Sequence, residues 1–431
     1  MKKSDKYPAL HITIIGGGYV GLVTGTCLAH LGHDVTIVDI DETKISAINS
    51  AVPPIYENGL SELLKNHIGK NLRASTEYTS VSEGDVIFIA VGTPPNPDGS
   101  ANLSYIRSAA ENIANQLVKQ RTSYPVIVVK STVPPGTTQN IVGPILASKL
   151  PKQSFDCCMN PEFLREGRAI DDFFHPDRIV LGTTDEQTLN IMKNVYSGLD
   201  APVLTTGSTA AEMIKYTANA FLATKISFSN EIGNLCKQLD VDVYEVMKGV
   251  GLDHRISPHF LNAGAGFGGS CFPKDVSALA VLSEAAGVHP ILLQAVLAVN
   301  EAQPLQMIRI LERHFPDLKE KRIAVLGLAF KDNTDDIRES RSIPVIASLL
   351  DKNAVPVCYD PMAGENMKHV FPNVLYCNSA KEALKNADAC LVMTEWPEFS
   401  QLNEEFDGMK FRVIIDGRHI LTIPDAEGVC W

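Results

Sequence analysis

The chain has 431 residues, 45% apolar and 20% charged, a globular balance with room for about two to four domains. Its 38 basic and 50 acidic residues leave a net charge of −12 with no Lys/Arg run. That argues against a nucleic-acid partner, and any anionic ligand must be held by a few placed cations and backbone N–H groups. No apolar stretch reaches the roughly 18 residues of a spanning helix, so no membrane contact is expected. The nine cysteines are dispersed and make no disulfide framework or zinc spacing, so a cytoplasmic protein without a metal is expected.

Three segments follow in chain order. Over 8–205, short β-branched runs (HITIIG, DVTIVDI, DVIFIAVG, PVIVVKS, RIVLGT) alternate with amphipathic stretches, the pattern of βαβ units and a parallel sheet. The basic tip and apolar run at the start read as a strand and turn rather than a signal peptide. Over 206–305 the β-runs vanish, and AAEMIKYTANAFLATKISFSNEIGNLCKQL keeps helical spacing too long for an ordinary surface helix. Such a helix bridges domains or pairs with a second copy of itself. Over 315–431 the alternation returns as a worn copy of the first segment: RIAVLGLAFK for HITIIGGGYVG, VPVCYDP for DVTIVDI, ACLVMTEWP for DVIFIAVGTP. The expected fold class is α/β, two Rossmann-like doubly wound parallel-sheet domains joined by a long central helix and a small helical domain.

Gly16, Gly18 and Gly21 form G-x-G-x-x-G between a strand and a helix, for a tight turn, a close pyrophosphate and close helix packing. Asp39 ends the next strand, where a carboxylate accepts from both ribose hydroxyls and repels a 2′-phosphate, so NAD is favoured over NADP. Lys44 either adds a cation one turn later or is a surface lysine. In the worn copy only Gly327 remains, with Ala329 and Asp332 in place of the other glycines. That half should hold a different nucleotide or none.

The sharpest local feature is GAGFGGSCFPKD. Gly264, Gly266, Gly268 and Gly269 precede Cys271, which suggests a loop closing on a ligand and presenting a thiol. Lys274 and a following helix start could lower that thiol's pKa from about 8.5. The other eight cysteines lack this setting and read as inert. Glu212, Lys215 and Asn219 fall at i, i+3 and i+7 of the long helix. Lys215 and Asn219 suit an oxyanion or a bound water, although a surface Glu–Lys pair explains the first two as well. NPEFLREG carries Glu162, Arg165 and Glu166, or else is a helix start capped by Asn160. FKDNTDDIRES gathers Lys331, Asp335, Asp336 and Arg338 for phosphate binding or as a solvated loop.

With these motifs in order (GGGYVG, VDID, VGTPPN, KSTVPPGT, NPEFLREG, AAEMIKYTANAF, FGGSCFPKD, LAFKDNTDDIRES), the chain resembles the nucleotide-sugar 6-dehydrogenase family from about residue 10 to 425. The resemblance implies an NAD-binding domain, a central dimerisation and catalytic segment, and a UDP-sugar-binding domain. It implies an enzyme that oxidises C6 of a UDP-sugar twice through a cysteine thiohemiacetal and thioester. UDP-glucose is the implied substrate, with GDP-mannose or a UDP-N-acetylhexosamine as alternatives.

By that resemblance Cys271 is the nucleophile, and Lys215, Asn219 and Asp275 surround the reacting carbon and its water. Glu162 is a candidate base for the thioester step, and Thr132 belongs to both the catalytic and the cofactor set. The cofactor set also includes Gly16, Gly18, Tyr19, Val20, Gly21, Asp39, Lys44, Thr93, Glu166, Lys274 and Arg338. The substrate set includes Glu162, Phe163, Leu164, Arg165, Lys215, Asn219, Phe260, Leu261, Asn262, Ala263, Gly264, Gly268, Lys331 and, more loosely, Arg418. Arg255 resembles an arginine that reaches a neighbouring subunit's substrate, and the long helix resembles a dimer core. Arg341 departs from a common proline and is expected to touch no assigned role. A two-electron hydroxyacid dehydrogenase leaves Cys271 and the third segment unexplained. A silent NAD-sensing protein needs neither Cys271 nor Lys215.

Overall fold

The β-branched runs become the strands of two sheets in the computed structural model, which describes residues 8–119, 124–151 and 153–431. The first sheet holds β1 (His11–Ile15), β2 (Asp34–Val38), β3 (Leu72–Ser75), β4 (Val86–Ile89), β5 (Val126–Val129), β6 (Asp156–Met159), β7 (Ile179–Gly182) and β8 (Val203–Thr206). Their order is β3-β2-β1-β4-β5-β6-β7-β8, so the first six follow the 3-2-1-4-5-6 path of a dinucleotide fold. All neighbours pair in parallel except β6 and β7, which meet antiparallel at Met159 and Gly182. Alternate residues serve opposite faces. Ile12, Ile14, Val35, Ile37 and Phe88 enter one apolar cluster, and Ile15, Val38, Ile87 and Ile89 enter another. Burial on both faces is why these strands read as nearly continuous apolar runs.

The chain divides into two compact units inside the long helix, one ending at Thr217 and the other beginning at Ala218. That helix, Ser208–Gln238, is one of 31 residues. In the second unit it buries Ala220, Ala223, Ser227 and Asn230. It exposes Phe221, Phe228 and Leu235 at seven-residue spacing, each more than half exposed. Helices Val243–Gly251, Phe272–Ala285, Ile291–Ala302 and Leu305–His314 follow.

The second sheet holds β9 (Arg322–Leu326), β10 (Val355–Tyr359), β11 (Leu375–Tyr376), β12 (Ala389–Val392), β13 (Ile414–Asp416) and β14 (Ala426–Gly428). Its order is β11-β10-β9-β12-β13-β14, parallel throughout, the same path as the first six strands. The internal repeat in the sequence is therefore a repeat of topology.

Candidate functional site

The first turn after β1 is fixed by close approach. Gly16 has φ +110°, and a Cβ there would lie 2.5 Å from the Ala90 carbonyl oxygen beyond β4. A Cβ on Gly21 would fall 1.8 Å from the Gly16 oxygen, whereas one on Gly18 would meet nothing within 4 Å. Gly18 caps the helix Tyr19–His30, so open space lies over a helix start, where a pyrophosphate can approach backbone N–H groups. Asp39 accepts from Gly17 N at 2.7 Å and Asp41 N at 3.0 Å, with the Lys44 ammonium 4.0 Å away. These residues fit a dinucleotide whose ribose lies beside a carboxylate. Val20 is half-buried in the first helical turn. Thr93 and Thr132 meet where the loops after β4 and β5 converge, the Thr93 hydroxyl donating to Thr132 O at 2.9 Å.

Tyr19 has a partner that the motifs did not show. Its hydroxyl bonds the buried Glu57 carboxylate, which also accepts from Gly167 N at 2.7 Å and Ala169 N at 2.8 Å. Burial and this carboxylate push the Tyr19 phenol well above its ordinary pKa. Glu57 therefore ties the dinucleotide turn to the segment that bears Glu166. No local pattern marks it, because its partners lie far along the chain.

Neither bland reading of Glu212, Lys215 and Asn160 holds. Glu212 is fully buried and accepts from Gly136 N, Thr138 N and the Thr138 hydroxyl, fastening the KSTVPPGT loop. Lys215 reaches Glu162 at 3.0 Å, with the two side chains 4% and 6% exposed. Its ammonium also lies 5.4 Å from the Phe163 ring centre, and the Arg178 guanidinium stacks 3.8 Å from the same ring. Asn160 caps no helix. Its side chain accepts from Lys130 Nζ at 3.1 Å and donates to Val180 O at 2.9 Å. Leu164 N donates to Glu162. Arg165 takes a forked bond to Asp172.

In the second unit, Asn219 Nδ2 donates to Asp275 Oδ2 at 2.6 Å and Lys274 Nζ donates to Asp275 Oδ1. Asp275 is 1% exposed. Lys274, expected to act on the thiol, also engages this buried carboxylate with its ammonium. Cys271 stands at the N-cap of the helix Phe272–Ala285, with Ser270 Oγ 3.7 Å from Sγ. Among the described residues it is the one exposed cysteine. Burial pushes the thiols of Cys158 and Cys430 up to about 12, and raises Cys27, Cys157, Cys358 and Cys390 further.

The glycines before Cys271 close on this chain's own backbone and side chains. A Cβ on Gly268 would lie 2.3 Å from Glu339 O, and one on Gly269, at φ +82°, would lie 2.7 Å from the Phe330 ring. Gly264 N donates to Asn230 Oδ1, and Gly264 O accepts from Gln303 Nε2. Phe267 exchanges two bonds with the Asn300 amide, and Gly269 N donates to Arg338 O. The loop is held rigid on many sides.

Arg341 corrects a further expectation. It is buried against Gly266, bonded to Glu339 and to Glu301, and so supports the thiol loop. Arg418 bonds Met393 O and Gly266 O with its guanidinium and faces Glu395, which engages it inside the protein. In the FLNAG stretch, Phe260 has φ +63°, Leu261, Ala263 and Gly264 are buried and Asn262 is exposed. Lys331 lies over the Phe330 ring, Arg338 forks onto Asp336, and the exposed Arg255 forks onto Asp253.

Three family models match in sequence along the chain. They describe the UDP-glucose/GDP-mannose dehydrogenase family's NAD binding domain over residues 10–200, its central domain over 209–302 and its UDP binding domain over 324–423. The chain is 47% identical over 421 residues to the UDP-glucose 6-dehydrogenase AglM of Haloferax volcanii, covering 96% of this chain and 97% of that one. It is 44% identical to the UDP-glucose 6-dehydrogenase YwqF of Bacillus subtilis, covering 97% and 95%. A UDP-glucose dehydrogenase structure from Pyrobaculum islandicum superposes with TM-score 0.95 at 40% identity, covering 99% of each chain. A UDP-D-ManNAc dehydrogenase structure from Pyrococcus horikoshii gives 0.85 at 27%, covering 97% and 98%.

Proposed function

The chain belongs to the UDP-glucose/GDP-mannose dehydrogenase family, with NAD as its cofactor, and from that premise we propose that it oxidises UDP-glucose at C6 to UDP-glucuronate. The observation that carries this reading is Cys271, an exposed thiol at a helix N-cap on a rigid loop, with the Asn219–Asp275–Lys274 cluster in the same unit. UDP-glucose is favoured over other sugars because relatives that bear its name stand at 40–47% identity, against 34% for a GDP-mannose dehydrogenase and 27% for the ManNAc enzyme.

NAD, when bound, would supply the hydride acceptor for two oxidations. The open turn at Gly16, Gly18 and Gly21 would hold its pyrophosphate, with Asp39 and Lys44 at the ribose and Tyr19, Val20, Thr93, Thr132, Glu166, Lys274 and Arg338 along the remainder. The primary alcohol gives up a proton through a water held by Lys215 and Asp275, and loses a hydride to become the aldehyde. Cys271 adds to that carbon, so that a C–S bond forms and the oxygen takes a proton. Loss of a second hydride and of that proton leaves a thioester. Water attacks it with Glu162 as proton acceptor, the C–S bond breaks and the thiolate leaves, giving the uronate. The sum is two NAD and one water consumed per alcohol. Covalent capture keeps the aldehyde from escaping between the two oxidations.

Phe163, Leu164, Arg165, Phe260–Gly264, Gly268, Lys331 and Arg418 complete the sugar-nucleotide set. The segments 8–205, 206–305 and 315–431 serve as cofactor, dimerisation and UDP-sugar parts. The exposed Phe221, Phe228 and Leu235 stripe supports a homodimer through the long helix, with Arg255 reaching the partner's substrate. The odd number and dispersion of the nine cysteines support a cytoplasmic home.

The test is NADH formed per mole of limiting UDP-glucose, beside GDP-mannose and UDP-N-acetylmannosamine. Two equivalents from UDP-glucose alone are expected, and no net uronate from Cys271→Ala, which still binds NAD. Two from another sugar would correct the substrate, one would remove Cys271 from the chemistry, and none would leave an NAD-binding sensor.

A further inference from the structure

We propose that Lys130 is a positioning residue for the Glu162–Lys215 pair, its buried ammonium locking, through Asn160, the turn that carries the Glu162 carboxylate. The inference rests on the dehydrogenase reading for the reaction it serves.

Lys130 directly follows β5 and is 6% exposed. Its Nζ donates to Asn160 Oδ1 at 3.1 Å and to the Tyr196 hydroxyl at 3.4 Å, and lies 5.8 Å from the Tyr196 ring centre. The Tyr196 hydroxyl donates to the same Asn160 oxygen. Asn160 is further tied to the sheet, its N donating to Val129 O and its Nδ2 to Val180 O, each at 2.9 Å. Two residues on, Glu162 accepts from Leu164 N and meets Lys215 at 3.0 Å. A lysine and a phenol, with two sheet carbonyls, thus fix Asn160, from which the Pro161–Glu162 turn departs.

The groups facing this ammonium are Glu162 and Cys158 from β6 and its following turn, Lys215 from the long helix, and Tyr196 after the helix Glu186–Val195. Glu162 and Cys158 favour the charged amine, while burial and Lys215 oppose it, and burial wins, drawing its pKa down to about 8. Both of its hydrogen-bond partners are neutral oxygens, which offset little of the desolvation of a charge. A methionine would fill the same volume without that penalty. The lysine therefore works against stability, and what it adds is order at the Glu162 turn and a second positive charge near that carboxylate.

The test uses Lys130→Met, Lys130→Arg and Tyr196→Phe in the full chain with UDP-glucose and NAD. Lys130→Met is expected to lower kcat by at least about tenfold with both KM values within about threefold, the signature of a misplaced group rather than lost binding. Its melting temperature holds or rises, and Lys130→Arg recovers part of kcat. If the charged amine orders the turn, kcat falls as Lys130 loses its proton. Tyr196→Phe removes a neutral acceptor from the ammonium, so this alkaline limb moves to lower pH, and in Lys130→Met it is gone. A Lys130→Met kcat within about twofold of wild type, or a fall in kcat matched by a lower melting temperature and raised KM values, overturns the proposal.

A readout without turnover separates the two readings. The Lys215 Nζ resonance, followed by ¹⁵N-lysine NMR, is expected to shift in Lys130→Met, and an unmoved resonance overturns the positioning role. If wild type forms no NADH from any nucleotide sugar, the dehydrogenase reading fails and this resonance still decides for Lys130. If Lys130→Met does not fold, the limb and resonance of Tyr196→Phe decide.

Discussion

The two sheets share one strand order, and both begin with a strand followed by a glycine near φ +100°, Gly16 at +110° and Gly327 at +97°. Both also place an aspartate after the second strand. In the first, Asp39 takes two backbone donors, and the space over Gly18 is open. In the second, Asp360 Oδ2 accepts from Leu328 N, Ala329 N and Trp396 Nε1, while Oδ1 accepts from Met362 N and Ala363 N. The N–H groups that would meet a pyrophosphate are already held by a carboxylate, and the Ala329 carbonyl is bonded by the Thr394 hydroxyl. One backbone path therefore serves as a ligand cradle or as a sealed structural corner. The difference is that the first turn opens directly into the helix Tyr19–His30 above Gly18, whereas the second is followed by a loop, with its next helix beginning only at Ser342. The second turn's aspartate takes the Ala329 N–H as well.

If Asp360 is structural, removing it should do more damage to folding than any change at Asp39. Asp360→Ala orphans buried donors, and a loss of about 3–5 kcal/mol is expected. Urea unfolding of the two alanine variants side by side checks it. Equal midpoints for Asp360→Ala and wild type would break the comparison at its root.

The first unit also buries a charge that is poorly satisfied, Lys130. Its folded pKa of about 8 lies below the unfolded value of about 10.4, so between them the unfolded chain binds the extra proton. Unfolding free energy must then rise with pH across that window, by up to ~3 kcal/mol. The penalty is full below pH 8 and relieved above it. The difference between wild type and Lys130→Met in denaturant midpoint, measured from pH 7 to 10, isolates the effect. A difference that stays flat with pH would show that the lysine is no more perturbed than an exposed one.

Asp39→Ala should leave folding nearly untouched, weaken NAD about 10–100-fold through the lost charged hydrogen bonds, and narrow the preference over NADP. Titration with both cofactors reads it. Unchanged preference would remove Asp39 from the ribose.

How much of this was legible follows the same division between local and distant causes. Strands buried on both faces announce themselves as β-branched runs, and the period of the long helix marks it over its whole length. The G-x-G-x-x-G turn was legible because its pattern is local, a strand, a glycine turn and a helix start in immediate succession with Gly21 meeting Gly16, even though the contact that requires Gly16 itself, Ala90, is distant. The glycines before Cys271 were visible as an anomaly, but their cause was not. Glu339 and Phe330 stand some sixty to seventy positions on, and only folding brings them to Gly268 and Gly269. The same holds for Glu57 on Tyr19, for Glu212 on the Gly136–Thr138 loop and for Arg341 under Gly266. Each is a single polar residue whose partner no spacing rule can name.

The smallest expected effect is the one that separates the two explanations of the second corner. The sequence suggested that side-chain bulk at Ala329 and Asp332 bars a dinucleotide, whereas the structure adds that Asp360 already occupies the donors. Restoring glycine at both positions, Ala329→Gly with Asp332→Gly, removes the bulk and leaves the carboxylate and its bonds in place. Calorimetric titration should then still find one NAD per chain, as for wild type. A second equivalent would mean that bulk alone closed the corner and that Asp360 yields its donors to a phosphate. An unchanged stoichiometry locates the loss of dinucleotide binding in the internal hydrogen bonds, which no count of glycines reveals.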